Sequence, residues 1–165
     1  MSEEDDPEET LLPSSPEGSP GFFPETVLHS SRDLAVVEQA LRQGLQRRPD
    51  DLASHFALYK LLFRKFRLAE AEQAAHSALS CSARLGGFDP RWEQLGPHSA
   101  DWSAVQSPAH FYLFTLKALG FILLRRHAFD GCRQILDKLQ ELDPQDSVGF
   151  SVIRAYADGA ATGAR

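Results

Sequence analysis

The chain has 165 residues, a formal net charge of −6 at pH 7 and an apolar fraction of 42%, enough for one core plus a tail and too little for a membrane protein. The charge is lopsided. Residues 1–31 carry eight acidic residues, no Lys or Arg and five of the ten prolines, while 32–165 hold fifteen acidic and seventeen basic residues. The first segment is therefore about −8 and the remainder about +2, a balance that, with no recognised motif, argues against nucleic-acid binding.

In chain order, residues 1–31 are expected to be a disordered tail, being acidic and rich in Pro and Ser. Its start, Glu3-Glu4-Asp5-Asp6, is the opposite of a secretory signal, which opens basic and continues apolar; a cytoplasmic protein is expected. Residues 32–165 are expected to be one helical domain. Asp33 to Arg48 is amphipathic through Leu34, Val37, Leu41 and Leu45, and stops at Pro49-Asp50. Leu68 to Leu85 is rich in Ala and Ser, so neighbouring helices can approach it closely. From Leu85 to Ser107 the chain passes Gly86, Gly87, Pro90, Gly96 and Pro97, a connection longer than stacked helices usually need. This inserted loop, 85–107, carries both tryptophans. Trp92 and Trp102 either pin it to the side of the helices or make it a lid over a groove.

Ser107-Pro108 then supplies an N-cap and a Pro for the first helical position. The most apolar stretch, Phe111 to Leu124, is interrupted by Thr115, Lys117 and Gly120 and is too short to span a bilayer, so it reads as a central helix buried on several sides. Phe129-Asp130 opens the next helix, whose inner face runs through Cys132, Ile135, Leu136 and Leu139 until Leu142-Asp143-Pro144 stops it. Val148 to Ala157 is expected to form a final capping helix.

A search for chemistry returns little. The six histidines, His29, His55, His76, His98, His110 and His127, are scattered, and no HExxH, P-loop, GxGxxG or GxSxG string occurs. Glu70 and Glu72 point to different sides of a helix and read as solvated charges. Cys81 and Cys132 have no CxxC partner and read as small buried apolar residues in a reducing compartment. No enzyme activity, cofactor or metal is expected; the alternative is a small enzyme built from the Trp-bearing loop with His98 and His110.

Residues Leu113 to Asp146 resemble one tetratricopeptide (TPR) unit. Leu116, Leu119-Gly120 and Leu123 stand on the W-x₂-L-G-x₂-Y frame of the first helix, with Leu at both aromatic positions; Cys132 and Leu136 stand at A-x₃-F of the second, and Pro144 closes the unit. The frame has a physical sense. The three leucines share one helical face, and Gly120 removes a side chain where a second helix lies close, at about 1 kcal/mol of helix propensity. A more degenerate copy lies upstream: Leu58 and Leu62 with Tyr59 in place of Gly, then Leu68-Ala69-Glu70-Ala71, Ala75, Ala78 and Leu79, with Ala83 where Pro would close it.

The resemblance implies an all-α TPR-like solenoid of helical hairpins, a non-catalytic protein-protein interaction module. First helices of such units line the concave face, which selects Phe56, Lys60, Phe63 and Arg64 from one unit and Phe114, Lys117, Phe121, Leu124 and Arg125 from the other. Aromatic and basic groups together suit a protein or peptide client with acidic and apolar residues. A solenoid generally needs about three repeats, so the chain is expected either to cap itself tightly or to self-associate, with a homodimer the favoured outcome. Phe56 to Lys60, Phe111 to Gly120 and Leu142-Asp143-Pro144 are similar to small bacterial TPR-like proteins that accompany nitrogen-fixation genes, which implies an adaptor or assembly accessory. Length and the acidic start also resemble the TPR class of type III secretion chaperones, the alternative role.

Overall fold

In a computed structural model, residues 31–163 are described. They form six α-helices: α1 (Ser31–Arg47), α2 (Leu52–Arg64), α3 (Leu68–Gly86), α4 (Pro108–Arg125), α5 (Phe129–Leu142) and α6 (Ser151–Thr162), with one 3-10 turn at Trp92–Gln94. No strand occurs among the described residues. The acidic tail expected over 1–31 lies outside them, except Ser31, which opens α1.

Each helix packs on the next in the chain, and α2 also meets α4, as α4 meets α6. The even-numbered helices are thus lateral neighbours, with α3 set against both α2 and α4 and α5 against both α4 and α6. Small side chains make this possible in α3, where Ala71, Ala75, Ala78 and Ala83 are completely buried. At Gly120 the reason for a missing side chain is direct: a Cβ there would come 3.2 Å from Ile135 Cγ2, tighter than α4 and α5 accept without movement. Around this crossing lie Leu116, Leu119, Ile122, Leu136 and Leu139, all essentially without solvent contact.

The two hairpins turn in the same way. Phe66 and His127 adopt φ of 57° and 60°, and the next residues, Arg67 and Ala128, donate their backbone N–H to Leu62 and Leu123 at 3.0 and 2.9 Å. That six-residue closure is a Schellman turn, made twice without the usual glycine. Every position of one turn stands 61 residues from its counterpart, the offset that also carries Leu58 to Leu119 and Leu62 to Leu123.

Beyond the hairpins, α1 is fastened by ions as well as by Leu41 and Leu45. The buried Glu38 carboxylate accepts hydrogen bonds from Lys65 at 3.0 Å, Arg67 at 2.6 Å and Arg42 at 3.0 Å. The acid pair behaves differently from the solvated charges expected of it: Glu70 binds Arg67 and Arg42, and Glu72 binds Arg126 across to the second hairpin. Arg67 is a local partner three residues before Glu70, whereas Arg42 and Arg126 are brought near only by the tertiary arrangement.

The loop is pinned. Trp102 is buried, its indole N–H donates to the Gly96 carbonyl at 3.1 Å, and its ring lies 5.3 Å from Phe88 and 6.2 Å from Tyr112. Tyr112 donates its hydroxyl to Pro90 O at 2.8 Å, and Lys138 reaches Leu95 O at 2.7 Å, so the insertion is tied to both α4 and α5. It ends where Ser107 Oγ accepts from His110 N at 3.1 Å, the cap expected there.

The last helix starts later than expected and runs further, from Ser151 rather than Val148. Asp143 accepts the N–H groups of Ser147 and Val148, and Asp146 accepts from Phe150. These carboxylates hold the backbone in a turn, with Asp146 and Gly149 at φ of 55° and 73°, so helical bonding begins only afterwards.

Candidate functional site

The lateral row α2, α4 and α6 leaves a concave groove of about 420 Å³. Seven of the nine side chains selected from the sequence meet in it: Phe56, Lys60, Phe63 and Arg64 from α2, and Phe114, Lys117 and Phe121 from α4. The phenyl groups are half-buried, neither sealed in the core nor free. Periodicity explains their convergence, since side chains three and four residues apart share a helical face, and tertiary packing pairs the faces. Phe63 lies 5.1 Å from Phe121, and Phe56 lies 5.5 Å from Phe111, ring centroid to ring centroid.

The polar groups divide into held and free. Lys60 sits 4.8 Å over the Phe56 ring with its ammonium exposed, and Arg64 is exposed at the rim. Lys117 is different: it is half-buried, lies 5.3 Å over Phe114 and donates to the Val148 carbonyl. Burial pushes its pKa down; Lys60 acts in the same direction and Asp146 opposes. It therefore ties α4 to the segment before α6 rather than waiting for a ligand. No carboxylate is among the lining residues, so the groove's formal charges are all positive.

Leu124 and Arg125 lie elsewhere. Leu124 is buried, and both line a second, more open hollow of about 650 Å³ with Phe121, His127, Phe129 and Tyr156. Arg125 lies 5.4 Å over the exposed Phe66 ring at the hairpin turn. The helix continues past the groove there, and its last turn faces α6.

Several groove residues escaped the sequence reading. Phe111 and Ala118 belong to the same stripe as Phe114 and Phe121 and were available from spacing alone. Tyr59, on the frame position of Gly120, reaches into the groove; burial pushes its hydroxyl pKa up. Ile153 comes from α6, and no local signal announces it. His110 is buried at the groove wall, its ring edge-on to Phe114 at 4.9 Å and its Nδ1 without a hydrogen-bond partner among the described residues.

For the enzyme alternative, the geometry separates the two histidines. His98 is exposed on the loop and is not among the groove's lining residues, and of the inserted loop only Gln106 and Ser107 reach the groove. No group of three or more metal-ligating side chains occurs among the described residues, and no helix among them is long and apolar enough to cross a membrane. Cys81 and Cys132 are buried free thiols, both with pKa raised by burial.

The chain matches no protein-family model, no curated protein and no solved structure.

Proposed function

We propose that this protein is a TPR-like helical solenoid that works as a non-catalytic interaction module, taking a peptide segment of a client protein into the groove between α2, α4 and α6. The observation that carries this reading is the groove itself: five half-buried phenyl rings in one concavity, a basic rim and no carboxylate. Half-buried aromatics lose their remaining water on docking, and each offers a large rigid contact surface at small entropic loss. The basic rim selects clients with acidic residues beside the apolar ones.

The solenoid reading draws support from the paired hairpins, whose turns coincide residue by residue at an offset of 61, and from the close crossing at Gly120. Of the three strings similar to nitrogen-fixation-associated proteins, Phe56 to Lys60 and Phe111 to Gly120 contribute lining residues from α2 and α4 to the groove, and Leu142-Asp143-Pro144 lies outside it. That favours a cytoplasmic adaptor or assembly accessory, with the shared strings contacting a shared kind of client.

The test is capture from the native source by the tagged full chain, compared with Phe114→Ala and with the rim variant Lys60→Glu/Arg64→Glu. One client set should co-purify with the wild type and be lost from both variants, while circular dichroism stays unchanged. Clients that persist on both variants place the contact outside the groove and refute the reading.

A further inference from the structure

Resting on that reading of the groove, we propose that its resident occupant is this chain's own segment around Phe22-Phe23-Pro24-Glu25, which enters from the Arg64 end and is displaced by a client. The direction of α1 sets where the segment before it emerges. Glu38 is bonded to Lys65 and Arg67 at the α2–α3 turn, while Leu45, two turns later, shares a hollow with His55 in the first turn of α2 and Leu58 at its middle. Thus α1 runs opposite to α2, and its first residues lie beyond the C-terminal end of α2, where the groove opens at Phe63 and Arg64.

Reach and chemistry agree with that placement. Phe23 precedes Ser31 by eight residues, and eight residues can span at most about 27 Å. The whole of α2, with 13 residues, is about 20 Å long. Ser31 stands seven residues, about 10 Å of helix, before Glu38, which is bonded at the turn just after Arg64, so the reach of the segment is of the size needed to bring the phenyl groups to the Phe63–Phe121 end of the groove. The groove carries Lys60 and Arg64 on its rim and no carboxylate, whereas residues 1–30 carry eight carboxylates and no Lys or Arg. A tethered segment also acts at an effective concentration that reaches the mM range for a short linker, so contacts too weak to hold a free peptide suffice.

The experiment uses the full chain with Phe23 replaced by the photoreactive p-benzoylphenylalanine, irradiated alone and mapped by mass spectrometry. The expected result is intrachain adducts within residues 56–64 and 110–121. They should fall several-fold in the Lys60→Glu/Arg64→Glu background and again in about 1 M salt, where screening reaches within about 3 Å. As a second measurement, Phe22→Ala/Phe23→Ala in the full chain should move backbone amide shifts in those two stretches and leave α5 unchanged. Adducts on α5 or on the loop, or no adducts, overturn the proposal. Adducts only between chains, read from mixed nitrogen-isotope samples, also overturn it and assign the groove to a second copy. If crosslinking fails while Phe114→Ala still abolishes client capture, the tail proposal falls and the client-binding reading stands.

Discussion

Glu38 offers the sharpest test of how α1 is held. Its carboxylate feels burial, which raises its pKa, but hydrogen bonds from Arg67, Lys65 and Arg42 outweigh that and bring it from the ordinary 4.5 down to about 2. At about 1.4 kcal/mol per pH unit, that displacement of about 2.5 corresponds to about 3 kcal/mol of folded-state stability. The side chain is 11% exposed, but Lys65, Arg67 and Arg42 are 23%, 34% and 45% exposed, so solvent screening reduces the figure to about 2 kcal/mol. Because the folded-state pKa is depressed, this stability is fully present above pH 4.5 and is lost as pH falls through 4.5 toward 2. Urea denaturation of the full chain should therefore show Glu38→Gln destabilised by about 2 kcal/mol at pH 7, with the gap closing below pH 4.5. Asp89 also has a lowered pKa, but it titrates alike in both proteins and cancels in the difference; Glu70 shares Arg67 and Arg42 with Glu38, so its titration belongs to the same ion cluster. Parallel curves for wild type and variant from pH 5 to pH 2.5, at any constant offset, would refute the assignment of this ion cluster as the clasp of α1.

Gly120→Leu should cost about 1–3 kcal/mol by overpacking against Ile135; in that background Ile135→Ala should destabilise less than it does alone, and additive losses in denaturation would reject the crossing. Trp102→Ala should cost about 3–5 kcal/mol while leaving the amide shifts of residues 56–64 in place; movement there would make the loop a lid instead of a pinned insertion. Ser107→Ala removes the acceptor for His110 N and should lower stability by about 1 kcal/mol, seen as faster hydrogen exchange in the first turn of α4; unchanged exchange would mean the cap does not hold that turn.

Much of this fold was legible because its signals are local. Ser107-Pro108 starts α4, Phe129 starts α5, Leu142-Asp143-Pro144 ends it, and the small residues of α3 and Gly120 mark the close contacts; each follows from backbone sterics or side-chain volume at a single position. Phe56, Phe63, Phe114 and Phe121 could be assigned to two helical faces because spacing alone sets which side chains share a face. Whether those faces meet is a tertiary matter. Only packing brought Ile153 into the groove, turned Leu124 inward against α6, fixed Lys117 on the Val148 carbonyl and set Lys65 and Arg67 on Glu38, Arg42 on Glu70 and Arg126 on Glu72. These contacts join residues far apart in the chain through interactions that depend on distance in space, and no periodicity encodes such distances. The late start of α6 has the same origin on a smaller scale: the helical pattern begins at Val148, but the carboxylates of Asp143 and Asp146 compete for the backbone N–H groups and win by geometry.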